Sequence, residues 1–71
     1  MMYNELPITA GKWYLMQDVD RYSDDEFDSI EDARTALDAA IDDGEEKMWI
    51  AYCEDFGDGR LELLFEEGEQ A

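Results

Sequence analysis

The chain has no histidine and a single cysteine among its 71 residues, and these two facts decide most of the chemistry open to it. Without imidazole, the commonest general base, the usual nucleophilic triads and most zinc sites are absent. Cys53 has no second thiol to pair with, which excludes an intramolecular disulfide framework. It reads as a small strand residue rather than a nucleophile. The carboxylates remain. Asp18 and Asp20 have the spacing that opens a calcium loop, but the sixth position is Ser23 where glycine is needed and the twelfth is Ser29 where glutamate is needed. Asp55-Phe56-Gly57 spells a kinase triplet in a chain too short to hold a kinase. Glu45-Glu46-Lys47 has the form of the end of a nuclease metal site, with no partner strand to complete it. Paired acids for glycoside hydrolysis need a cleft between them, and so short a chain has little material to build one. The expectation is a non-enzyme with no catalytic residue, no metal and no cofactor.

What the carboxylates offer instead is an array. Twenty-one Asp and Glu against five Lys and Arg give a net charge of −16, and residues 18–46 alone hold thirteen acids against Arg21 and Arg34. Self-repulsion of that size opposes compaction. A merely solvating or salt-adapted surface does not require one loop and one helix to hold most of the charge. The same field repels anionic lipid and nucleic acid, so neither is expected as a direct ligand.

The elements that must position these acids can be read in turn. Ser29-Ile30-Glu31-Asp32 has the form of a helix start, a hydroxyl cap answered by an acid three residues on, and Gly44 supplies the stop. Ile30, Ala33, Leu37, Ala40 and Ile41 recur at three- and four-residue steps as one apolar stripe, leaving Glu31, Asp38 and Asp42 on the opposite face. Residues 12–19 read as a strand with Trp13, Leu15 and Val19 on one side and Tyr14 and Met16 on the other. Residues 20–28 form an acidic loop that Tyr22 and Phe27 can anchor. Residues 47–54 and 60–66 read as a hairpin with Gly57-Asp58-Gly59 at its tip. A two-residue turn at Gly57-Asp58 sets Arg60 opposite Asp55 and avoids opposing like charges. Met48, Ile50, Tyr52 and Phe56 then share the core face with Leu61, Leu63 and Phe65, and the reverse face carries Trp49, Ala51, Cys53 and Leu64.

The expected fold is α+β in one domain over residues 1–71: a small three-stranded antiparallel sheet, in the order strand, helix, strand, strand, with the helix on one face and the first strand beside the last. Residues 1–11 are an arm or short edge strand and residues 67–71 a frayed tail. At this length a single core only just offsets chain entropy. No basic stretch precedes an apolar run at the N-terminus, and no apolar run is long enough to span a bilayer. The expectation is a soluble, cytoplasmic monomer with no membrane partner.

In size, in charge and in its mixture of strands with an acidic helix and loop, the chain resembles the small acidic DNA mimics made by phages and mobile elements, the anti-CRISPR and anti-restriction inhibitors. Asp24-Asp25-Glu26-Phe27-Asp28 and Asp42-Asp43-Gly44-Glu45-Glu46 are its densest acidic runs. The resemblance implies an inhibitor that occupies the basic DNA-binding groove of a host complex, foremost a CRISPR effector, in the host cytoplasm. The physical basis is that carboxylates three and four residues apart on a helix present a rigid row of negative charge to a groove built for phosphates. The candidate surface is Asp24, Asp25, Glu26, Asp28, Glu31, Asp38, Asp42, Asp43, Glu45 and Glu46. The alternative is an interaction module or homodimer that uses Tyr14, Met16, Trp49 and Leu64, aromatic and Met side chains of the kind interface cores favour. Against it stands the chance that Tyr3, Leu6 and Ile8 of the arm cover that strip.

Overall fold

The computed structural model describes residues 8–17 and 20–68. Five elements follow one another: β1 (Trp13–Gln17), β2 (Asp20–Arg21), α1 (Ile30–Asp42), β3 (Met48–Asp55) and β4 (Leu61–Gly68). The strands form one antiparallel sheet in the order β2-β1-β3-β4, with α1 packed on one face. The α+β class and single helix are as expected, but the sheet has four strands rather than three. The added strand, β2, is two residues long, too short to show any alternation in sequence. Tyr3, Leu6 and Val19, and the tail beyond Gly68, lie outside the described residues.

The first strand lies beside β3, not beside the last strand, and the return loop is the reason. Phe27 bridges to Trp13, exchanging both backbone hydrogen bonds at 3.0 Å, so the chain has already travelled back to the start of β1 before the helix begins. The helix then runs with β1 and delivers the chain to the Gln17 end, where Met48 pairs with Gln17. β3 must therefore descend antiparallel to β1. Gln17 fixes that handover, its amide donating to Glu45 Oε1 and to the Glu46 carbonyl, both at 3.0 Å.

The helix ends are those the sequence signals. Ser29 Oγ accepts from the Asp32 N–H at 3.2 Å. At the other end, Gly44 at φ 106° lets its own N–H reach the Ile41 carbonyl and the Glu45 N–H reach the Ala40 carbonyl, a Schellman closure. Ala33, Leu37 and Ala40 are buried against Leu15, Met48 and Ile50. Ile41, assigned to that stripe, is instead half exposed at 50%, because it falls at the edge of the face that Ala33, Leu37 and Ala40 fill.

The hairpin departs from the expected turn. Gly57, Asp58 and Gly59 all have positive φ, at 91°, 57° and 75°, and make a three-residue connection closed by Phe56 N–H to Arg60 O and Arg60 N–H to Gly57 O, each 2.9 Å. The extra residue flips the parity of β4: Leu61 opposes Asp55, Leu63 opposes Cys53 and Phe65 opposes Ala51. Leu61, Leu63 and Phe65 thus belong to the face away from the helix, while Leu64, opposite Tyr52, belongs to the helix side. Glu54 and Glu62, like charges, stand directly opposed, with Arg60 3.6 Å from the Glu62 carboxylate. A bulge between Ile50 and Ala51 then restores Glu67 to the helix side, opposite Ile50, where it takes a two-pronged hydrogen bond from Arg34 at 2.8 and 2.9 Å. Residues 67 and 68, expected in a frayed tail, are strand.

Candidate functional site

The helix holds three of the candidate acids by simple periodicity. Glu31, Asp38 and Asp42 are exposed on the side away from Ala33, Leu37 and Ala40. At a rise of ~1.5 Å per residue the row runs roughly 16 Å along the axis. Thr35 interrupts it, its hydroxyl turned back to the Glu31 carbonyl at 3.2 Å. Arg34 still feels the Glu31 charge, but its guanidinium is hydrogen-bonded across to Glu67. That pairing holds the Glu67 carboxyl below its ordinary range and the guanidinium above its own.

At its C-terminal end the helix meets the second acidic run. Asp42 lies in the last turn and Asp43 is the cap residue, with no basic residue in that turn; Glu46 is exposed just beyond. These charges crowd the negative pole of the helix dipole, where cations are the stabilising choice. Glu45 is different: half-buried, it accepts from Gln17 and so serves the fold.

The loop acids divide in the same way. Asp24 and Asp25 are exposed, with the Ser23 hydroxyl 3.4 Å from the Asp25 carboxylate. Glu26 turns back onto the sheet and accepts from the Thr9 hydroxyl at 2.9 Å and the Tyr14 hydroxyl at 3.0 Å. Asp28 is paired with Lys12, and through that hydrogen bond and its charge it raises the ammonium's pKa. Of the ten candidate acids, Glu26, Asp28 and Glu45 are therefore engaged in holding the fold. The other seven point their charge outward.

The loop and the helix end also share a groove, with Asp25 on one side and Asp43 on the other and Tyr22, Phe27 and Ala40 among the residues lining it. One acid from each run, Asp25 before the helix and Asp43 after it, thus lines the same groove. This juxtaposition is invisible in the sequence, because it depends on the return of the chain at Phe27.

The alternative strip is not an open surface. Tyr14 and Met16 are fully buried and Trp49 is 6% exposed, in a second core with Ala51, Cys53 and Leu63 against which Ile8 and Leu61 pack. Arg21, itself buried, lies over the Tyr14 ring at 4.5 Å and donates to the Ser23 carbonyl at 3.1 Å. Leu64 is not part of this cluster. Burial, reinforced by the nearby Asp55, Glu26 and Glu54 charges, pushes the Cys53 thiol up, away from the reactive thiolate. Among the described residues no group of three or more Cys, Asp or Glu is placed to hold a metal ion, and no helix is long and apolar enough to cross a membrane. Comparison with protein-family models, with curated proteins and with solved structures gives no match.

Proposed function

We propose that the protein is a monomeric DNA mimic that occupies the basic DNA-binding groove of a host nucleic-acid-binding complex, foremost a CRISPR effector, in the host cytoplasm. The observation that carries this reading is the outward set of Asp24, Asp25, Glu31, Asp38, Asp42, Asp43 and Glu46, beside which Arg34 is paired with Glu67. Helix-end acids set against the helix dipole cost stability, and a cost kept beside the exposed acids of the loop argues for a use there. A basic groove gains association rate and part of its affinity from such complementarity. It reads spacing and charge, not a single residue. No catalysis and no cofactor enter this reading.

The test is capture of the target from host lysate at low salt, followed by competition with labelled DNA on the captured complex. Charge reversal of Glu31, Asp38, Asp42 and Asp43 to Lys should abolish competition while circular dichroism shows the fold retained. Asp38→Asn alone should change affinity little, because the charge is spread. Leu64→Ala, at an exposed position of the competing interaction-module reading, should compete as well as the unaltered protein. Reversal variants that still displace DNA would end the mimic reading.

A further inference from the structure

Between the return loop and α1 runs a groove of about 280 Å³. Its floor is apolar, with Leu15 and Ala40 buried and Phe27 half-buried. Tyr22, 38% exposed, stands along it. Its rim is acidic, Asp25 from the loop and Asp43 from the helix cap, both exposed. Asp43 also marks the C-terminal end of α1, so the negative pole of the helix dipole adds to the two carboxylates. We infer that this groove is the seat of a single arginine side chain presented by the partner.

The chemistry selects the occupant. A carboxylate would meet two carboxylates and a helix C-terminus. A purely apolar side chain would fit the floor but leave the rim charges unanswered. A cation on an apolar stem satisfies both, the stem lying on Leu15 and Ala40 while the charge reaches the rim. Arginine is favoured over lysine because its guanidinium is planar, weakly hydrated and able to lie against an aromatic ring while donating to carboxylates on either side. Tyr22 supplies that ring. This inference rests on the mimic reading and makes it specific: one side chain of the basic groove is anchored here, while the Glu31, Asp38, Asp42 row answers charge diffusely.

N-acetyl-arginine amide is the probe, titrated into the full chain at low salt and followed by amide nitrogen–proton NMR, with N-acetyl-lysine amide and N-acetyl-citrulline amide as comparisons. Saturable shifts should centre on Tyr22, Phe27, Ala36 and Ala40, be weaker for the lysine compound and be absent for neutral citrulline. Tyr22→Ala should weaken binding roughly two- to fivefold, the scale of an exposed cation–π contact. Ala39→Phe, which fills the groove from an exposed position, should abolish the localised shifts, as should Asp25→Asn with Asp43→Asn, each with an otherwise native spectrum. Glu31→Lys with Asp38→Lys should leave them in place. Shifts that never saturate, that spread evenly over the acidic residues, or that lysine produces equally well would overturn the arginine seat. DNA competition is a separate readout, so a failed groove with intact competition ends this inference alone, and failed competition ends the mimic reading.

Discussion

The Tyr14 hydroxyl receives the Thr9 N–H at 2.6 Å and donates to Glu26, which makes one buried phenol the tie between the entering chain, β1 and the acidic loop. Tyr14→Phe leaves a part-buried N–H and a carboxylate without that partner, a loss of roughly 1–3 kcal/mol. Chemical denaturation should register it as a lower midpoint with unchanged slope. Burial, the main cause, also raises the phenol's pKa above its ordinary 10.0. The sign follows: below that value the folded and unfolded states are both protonated, while above it the unfolded chain ionises first, so stability falls as pH rises towards the folded value. Lys12, raised above 10.5 by Asp28, contributes stability that is lost over a neighbouring alkaline window. Denaturation midpoints from about pH 8 to about pH 11 should therefore decline in the unaltered protein and decline less in Tyr14→Phe. A carboxylate such as Glu26 cannot be sorted by sequence into surface charge or structural acceptor. Its neighbours Asp24 and Asp25 share its composition, and only the approach of Thr9 and Tyr14 separates them.

At the level of elements, the helix was legible because its signals are local: Ser29 caps, Gly44 closes, and the positions of Ala33, Leu37 and Ala40 follow a fixed period. The face assignments of β1 and β3 were legible for the same reason. The register of β4 was not, because a two-residue and a three-residue turn through Gly57-Asp58-Gly59 differ only in how many residues take positive φ, and both Gly and Asp tolerate it. That single residue decides whether Leu63 or Leu64 is buried. Strand β2 was hidden by its length, and the neighbour of β1 by the unpredictable return of the loop to Trp13. The helix itself supports a prediction about the cost of its acids. Asp42 and Asp43 oppose the dipole, so Asp42→Lys should stabilise by about 0.3–1 kcal/mol at low ionic strength and less as salt rises. Thermal unfolding of Asp42→Lys at two salt concentrations checks this. A variant less stable than the unaltered protein would show that Asp42 makes a contact worth more than its repulsion.

On the scale of the whole molecule, a net charge of −16 acts on folding and on binding with opposite signs, and salt separates the two. The sheet is cored on both faces in so short a chain, so a few kcal/mol of repulsion is a large share of the stability available to it. Raising salt from low concentration to about 0.5 M shortens the Debye length to a few ångströms, which should raise the melting temperature steadily. Acid acts on stability through Glu67. Its carboxyl is held below the ordinary value by Arg34, so the stability it contributes persists to lower pH than usual and is lost as pH falls through that depressed value. Denaturation midpoints should therefore fall as acid protonates Glu67. Binding to a basic groove should respond to salt in the reverse sense, weakening steeply over the range that stabilises the fold. A melting temperature flat across this salt range would remove self-repulsion as a term, and with it the argument that the acids are kept at a cost. Folding that begins only at molar salt would instead assign the acidity to salt adaptation, because a mimic must be folded under the same dilute conditions in which its charge is effective.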